Sequence, residues 1–206
     1  MHLKVVIFDL DGTLIDSNEL KYNAFFRIFP DNEITNYIIK KNLSIYGEKS
    51  RYYIIEKIFE DIELNYGQSI NINKNIDKYI ERYTELVSDA VKSCDEIPNA
   101  SNLLRSLSNK YRLFLSSTTP LNFLHEIIEL RQWRKYFIDL YGYPQEKIST
   151  VKKIIEMEDI KNKEILIVGD GISDKESANY WGCHFFRIES SSDLFTLEKK
   201  LLNKNS

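Results

Sequence analysis

The chain is short of several things, and each shortage excludes a class of protein. It has two cysteines, Cys94 and Cys183, in 206 residues. Two cysteines suit a reduced cytosolic protein better than a disulfide scaffold. It has three histidines, His2, His125 and His184, scattered along the chain. No Cys/His pair has zinc-ligand spacing, so a histidine-based metal site is not expected. There is no basic excess: 28 Lys and Arg against 31 Asp and Glu give a net charge of −3. A protein built to coat nucleic acid would need positive charge to neutralise phosphates, so no nucleic-acid partner is expected. The short basic clusters Lys152-Lys153 and Lys199-Lys200 read as solvated helix faces. No apolar run approaches the length of a membrane span. The opening stretch, Leu3 to Phe8, is too short and too soon charged for a signal peptide. There is no internal repeat and no low-complexity tract. What is present is 43% apolar residues, enough to bury a core. The expectation is a soluble cytoplasmic enzyme.

Hydrophobic pattern divides the chain. Lys4 to Phe8 is a continuous apolar run rich in β-branched residues, as in a strand buried on both faces of a parallel sheet. Four later segments read the same way: Tyr111 to Leu115, Ile138 to Tyr141, Glu164 to Val168 and His184 to Ile188. Helical patterns separate them at Ala100 to Asn109, Leu121 to Leu130, Lys147 to Glu158 and Asp174 to Trp181. That alternation predicts an α/β protein, with a Rossmann-like three-layer core in which helices cover both faces of a parallel sheet. Residues 17–96 differ. They contain no clear strand, and apolar residues recur at helical spacing, as in Ile76, Tyr79, Ile80, Tyr83, Leu86 and Val87. The turn-like Asn65-Tyr66-Gly67-Gln68-Ser69 punctuates them. The expected organisation is a core of residues 1–16 and 97–206 with an inserted all-helical cap domain at 17–96. Hinges would lie near Ser17 and Ile97-Pro98, and the last residues, from Asn203, should fray.

Four polar signals sit at the carboxyl ends of predicted strands, where open α/β sheets bind ligands. Asp9-Leu10-Asp11-Gly12-Thr13 ends the first strand. Its two carboxylates could divide one task, attack for one and proton transfer for the other. An ordinary acidic turn is the alternative. Ser116-Ser117-Thr118-Thr119-Pro120 follows the second strand and offers hydroxyl and N–H groups to an oxyanion, or a helix cap, or both. Gly142-Tyr143-Pro144-Gln145-Glu146-Lys147 follows the third. Its lysine could hold a phosphoryl group as a point charge, or merely be solvated. Gly169-Asp170-Gly171-Ile172-Ser173-Asp174 follows the fourth. Asp170 is placed as a hard oxygen ligand for Mg2+. Asp174, one helical turn on, could support Lys147 or a metal-bound water, or cap its helix. Together they supply a nucleophile, a proton carrier, an anion clamp and a metal ligand, the inventory of phosphoryl transfer.

These motifs resemble the haloacid dehalogenase (HAD) superfamily, in the subgroup with a helical cap inserted after the first motif. The resemblance covers essentially the whole chain. It implies that Asp9 forms an aspartyl-phosphate and that Asp11 is the general acid and base. It implies that Ser117 (with Ser116 as runner-up), Thr118 and Lys147 bind the phosphoryl group. Mg2+ would be ligated by the Asp9 carboxylate, the Asp11 backbone carbonyl and Asp170, with Asp174 supporting from behind. The implied activity is Mg2+-dependent hydrolysis of a small phosphorylated metabolite by a monomer or homodimer. A 2-haloacid dehalogenase or a phosphonate hydrolase of the superfamily would lack the acid found here at Asp11. A sugar phosphomutase of the β-phosphoglucomutase type is the runner-up. Such mutases carry a His where this chain has Lys21, which makes Lys21 a substrate-side candidate and counts against the mutase. Gly47-Glu48-Lys49-Ser50-Arg51 resembles a cap segment whose Arg binds a distal phosphate, although an exposed helix Arg is the plainer reading. Tyr46, Tyr52 and Tyr53 could line the cap face or fill its core. A sugar-phosphate sensor without turnover would have lost Asp9, Asp11 or Asp170, and all three are present.

Overall fold

The structure, a computed structural model, describes residues 2–66 and 75–202. Gly67-Gln68-Ser69 and the chain end from Asn203 lie outside the described residues. The chain divides into two compact units. One is Met1–Ser17 with Cys94–Ser206, the other Asn18–Ser93.

The first unit is built on five strands: β1 (Val5–Phe8), β2 (Arg112–Pro120), β3 (Asp139–Tyr143), β4 (Ile165–Gly169) and β5 (His184–Arg187). All pair in parallel, in the order β3-β2-β1-β4-β5. β1 is central, with Phe8 opposite Leu115 on one side and Val168 on the other. Its four residues are at most 1% exposed, which is why the run is apolar without alternation. On one face, Val5, Ile7, Phe114, Ile165 and Ile167 pack with Val151 and Ile154 of α7 (Lys147–Glu158) and Ala178 of α8 (Ile172–Trp181). Leu166 points the other way, beside Leu197 and Leu201 of α9 (Asp193–Leu202). α9 in turn packs on α5 (Ala100–Ser108). With α6 (Leu121–Leu130) between β2 and β3, this is the expected three-layer α/β core. The chain runs outward from β1 to β3, then returns to β4 on the other side. The strand order therefore reverses between β1 and β4, the topological position at which such sheets bind ligands.

β2 differs from expectation. It runs five residues past Leu115, so Ser116 to Thr119 belong to the strand and not to a turn. Pro120 pairs with Tyr143 after a register irregularity. No side chain caps α6, so these hydroxyls are not helix caps.

The second unit, described by itself, is helical: α1 (Asn18–Ile28), α2 (Glu33–Tyr46), α3 (Arg51–Tyr66) and α4 (Ile76–Ser93). Asn32 caps α2 by accepting the Thr35 amide at 2.9 Å. Phe25, Phe29, Phe59, Tyr79 and Tyr83 form its aromatic centre, with ring centroids 4.5–5.6 Å apart. The core tyrosines are thus Tyr79 and Tyr83. Tyr46 and Tyr52 are half-buried and Tyr53 exposed, with Tyr46 and Tyr53 edge to face at 5.3 Å.

Candidate active site

Asp9 follows β1 directly, its amide bonded to the Val168 carbonyl of β4 at 2.9 Å. The chain then turns tightly. The Leu14 and Ile15 amides both donate to the Leu10 carbonyl, and the Gly12 amide donates to that of Ile15 at 2.8 Å. Gly12 takes φ 71°, a left-handed value that costs a glycine little. The turn brings Asp11 back beside the tip of β2.

From the β3–α7 loop comes Lys147, the first residue of α7. A cation there opposes the helix dipole, so local preference does not explain it. Two carboxylates do. Its Nζ lies 3.0 Å from Asp9 Oδ1 and 2.9 Å from each oxygen of Asp174. Asp174 is 1% exposed and enters from the first turn of α8. Gly169 makes room for it: a Cβ there would lie 2.3 Å from the Asp174 Cγ. The glycine of the Gly-Asp-Gly motif is therefore a clearance for the second acid. Asp170, at the tip of β4, donates its amide to Thr13 Oγ1 at 3.1 Å and accepts that hydroxyl on Oδ1 at 3.3 Å.

Asp9, Asp170 and Asp174 each offer an oxygen within 4.8 Å of the others, a group that could hold a metal ion. Burial pushes the Asp9 carboxyl well above its ordinary range. Lys147 opposes the rise, and Asp174, Asp170 and Asp11 add to it. Burial alone would lower Lys147, but Asp9 and Asp174 more than offset it and hold the ammonium above its usual value. Three acids against one lysine leave the cluster two negative charges in excess, and a divalent cation brings that to zero. The donors on offer are all oxygen, which fits a hard ion such as Mg2+.

Asp11 stands apart from that cluster. Its Oδ1 accepts the Ser17 hydroxyl at 2.5 Å. Its Oδ2 accepts Thr119 Oγ1 at 3.0 Å, with Ser117 Oγ further off at 3.4 Å. Ser117, not Ser116, is thus the serine beside Asp11. Thr118 is exposed between two buried neighbours and is not among the hydroxyls that reach Asp11. Lys152 pairs with Glu156, and Lys153 lies over the Tyr141 ring. In the second unit, Lys21 is half-buried and its backbone carbonyl accepts the Tyr83 hydroxyl at 3.2 Å. Arg51 corrects the expectation of an exposed helix residue. It is 8% exposed, donates to Thr84 Oγ1 at 3.2 Å and lies 5.1 Å from the centre of the Tyr83 ring.

Three polar contributors were not assigned from the sequence: Thr13, Ser17 and Thr119. Thr13 and Ser17 lie inside the first motif. Thr119 had a periodic signal, being two residues beyond Ser117 on the same face of an extended strand.

Carboxylates, a buried lysine and hydroxyls gathered at the switch point of a parallel sheet define a phosphoryl-transfer type of α/β enzyme. The model of the haloacid dehalogenase-like hydrolase family matches residues 6–188. The chain belongs to that family of hydrolases. A phosphoglycolate phosphatase of Vibrio parahaemolyticus is 25% identical over 212 residues, covering 90% of this chain and 83% of its own. Among solved structures, a predicted phosphoglycolate phosphatase from Haemophilus somnus superposes with TM-score 0.68 at 18% identity, over 90% of this chain and 84% of its own. YfnB of Bacillus subtilis, a candidate hydrolase of the same type crystallised with magnesium, gives 0.69 at 14% identity, over 91% and 89%. A candidate β-phosphoglucomutase from Thermotoga maritima gives 0.67 at 17% identity, over 99% and 100%. At these identities the structural likenesses speak for the fold. Among the described residues, no helix is long and apolar enough to cross a membrane.

Proposed function

We propose that this enzyme hydrolyses a small phosphomonoester through an aspartyl-phosphate on Asp9. The observation that carries the reading is the pairing of Asp9 with Lys147 at 3.0 Å inside a cluster otherwise made of acids. An anionic nucleophile must approach an anionic phosphate, and the buried ammonium lowers that barrier. Asp9, the Asp11 backbone carbonyl and Asp170 would hold Mg2+, with Asp174 keeping both oxygens on Lys147. When bound, the ion would neutralise charge on the transferring phosphoryl group and fix its orientation.

In the first half-reaction an Asp9 oxygen bonds to phosphorus and the ester P–O bond breaks. The electron pair leaves on the ester oxygen, which takes a proton from Asp11. In the second, water loses a proton to Asp11 and bonds to phosphorus. The bond from Asp9 breaks, phosphate leaves and both carboxyls are restored. Lys147 and Ser117 steady the phosphoryl oxygens. Residues 17–96 serve as the cap that chooses the substrate, with Lys21 and Arg51 as its candidate contacts and Thr118 as a further contact at the tip of β2. A cytoplasmic setting, a small phosphorylated metabolite and a monomer or homodimer complete the proposal. Phosphoglycolate is the first substrate to try, because the Vibrio relative bears that name.

The test is hydrolysis of p-nitrophenyl phosphate with Mg2+, followed by a screen of sugar phosphates, phosphoglycolate and nucleotides. EDTA and Asp9→Asn should each abolish turnover. Activity that survives Asp9→Asn overturns the nucleophile. Isomerisation of a hexose 1-phosphate without phosphate release would make the protein a mutase. Binding of phosphate esters without turnover would make it a sensor.

A further inference from the structure

Each hydroxyl near Asp11 has one proton to donate and two lone pairs to accept with. Ser17 gives its proton to Asp11 Oδ1 at 2.5 Å. Two hydroxyls compete for Oδ2. Thr119 Oγ1 lies at 3.0 Å, inside the normal range for an O–H···O bond, while Ser117 Oγ, at 3.4 Å, lies outside it. The Thr119 amide in turn donates to Ser117 Oγ at 3.0 Å. Thr119 thus acts twice: its side chain occupies Asp11, and its backbone fills an acceptor position on Ser117. The serine proton is then held only by the long 3.4 Å contact to Asp11 Oδ2.

The position of Thr119 is fixed by packing. It is 1% exposed. Gly142 of β3 lies against its backbone so closely that a Cβ there would sit 2.6 Å from the Thr119 carbonyl oxygen and 2.8 Å from the Leu121 Cα. The β2–β3 ladder shifts register across this stretch before Pro120 pairs with Tyr143. Ser117 and Thr119, two residues apart and both buried, face the same Asp11 oxygen, Oδ2.

We infer that Thr119 is the positioning residue for Asp11. Its hydroxyl holds Oδ2 so that the carboxyl meets the leaving oxygen, and it spares Ser117 for the phosphoryl group. The inference rests on the proposed phosphatase chemistry and adds a residue to it. Thr119 touches no reacting atom. It acts through the proton that Asp11 delivers when the ester P–O bond breaks, so its effect should scale with how much the leaving group needs that proton.

That scaling is the test. In the full chain, kcat/KM is measured for p-nitrophenyl phosphate, whose phenolate leaves without help, and for a simple alkyl phosphate, whose alkoxide needs protonation. kcat/KM reports the steps through loss of the leaving group. Thr119→Val keeps the strand shape and the amide and removes only the hydroxyl. Its loss on the alkyl phosphate should exceed its loss on p-nitrophenyl phosphate by about tenfold or more, part of what a general acid supplies. Thr119→Ser, which restores the hydroxyl, should stay within about threefold of the parent on both esters. Equal losses on the two esters, or no loss on either, overturn the inference. Should Thr119→Val not fold, Thr119→Ala carries the same comparison. Failure of the underlying reading looks different: the parent protein would then show no Asp9-dependent turnover of either ester.

Discussion

The two compact units bury polar groups in opposite ways. In the helical unit the buried arginine and asparagine are met by neighbours that satisfy them, although the buried Thr35 hydroxyl is not. Arg51 is bonded to Thr84 and stacked on Tyr83. Asn42 gives its amide to the Ile38 carbonyl and to Asp61, both at 3.0 Å, and Lys41 also pairs with Asp61. In the α/β unit three acids gather, Asp9 and Asp174 buried and Asp170 half-buried, and one lysine pairs with the two buried ones. Gathering like charges at a partly buried site is expensive, and a fold keeps such a cluster where something else arrives to complete it. The comparison therefore locates the chemistry in the α/β unit. It can be broken by showing that the imbalance has no functional consequence.

Asp9→Asn should have the largest effect. Removing the attacking oxygen should lower kcat by on the order of 10⁴-fold, read as release of p-nitrophenol at saturating Mg2+. The same change removes one like charge from the cluster, so the thermal midpoint without metal should not fall. A matched fall in stability would turn Asp9 into a structural residue. Lys147→Ala comes next, with a loss of about 10²–10³-fold in kcat, the size of one electrostatic contact to a developing oxyanion. Because Asp9 and Asp174 hold the Lys147 pKa up, it stays charged through the neutral range, and no alkaline limb of a pH–rate profile below pH 9 should vanish with it.

Mg2+ should matter next, and its effect should depend on pH. The Asp9 pKa is raised in the fold by burial and by neighbouring acids. A group raised in this way favours the fold at low pH, and that contribution is lost as pH rises through its raised pKa. Metal requires the ionised carboxylates and opposes that loss. The Mg2+-induced rise in thermal midpoint should therefore grow as pH is raised from the acidic side. At a hundredfold excess over Kd it corresponds to about 2.7 kcal/mol. Scanning calorimetry with and without EDTA reads it, and Asp170→Asn should remove most of it. A rise independent of pH would separate the metal from Asp9.

Much of the α/β unit was legible in the sequence because its strands are apolar on both faces and its motifs end them. Leu121–Leu130 and Lys147–Glu158 have the helix bounds that the periodicity gives. The extension of β2 was not legible. Ser-Ser-Thr-Thr-Pro is turn-like by local preference, and it is strand only because Asp11 takes its hydroxyls and β3 continues the ladder. Ser17 was hidden for a related reason, since a hydroxyl six residues from Asp11 meets it only after the tight turn at Gly12. α9 carried no motif to announce it, and its role in covering Leu166 emerges only from packing. The helical unit was legible as helices but not in its polar pairings. Arg51 looked exposed because arginine usually is, and only the aromatic cluster around Tyr83 explains its burial.

Arg51 gives the smallest expected effect and sharpens the comparison most. Its guanidinium has a hydroxyl partner and an aromatic partner within its own unit, so Arg51→Ala should destabilise that unit by about 1–3 kcal/mol, the cost of a lost buried hydrogen bond and its packing. A denaturant titration reads the loss, and KM for p-nitrophenyl phosphate, which carries no second anion, should change by less than about threefold. Arg51→Lys separates packing from recognition. Lysine keeps the charge and part of the stem but cannot reproduce the planar fork, so it should recover only part of the stability. If Arg51 also reaches substrate, as the segment Gly47 to Arg51 suggests, the signature is selective: KM should rise for substrates with a second phosphate or carboxylate and stay put for those without one. A rise on the doubly anionic substrates alone would show that one of the satisfied groups of the helical unit is spent twice, on the fold and on the ligand. A stability loss without that selectivity would leave the contrast between the units as drawn.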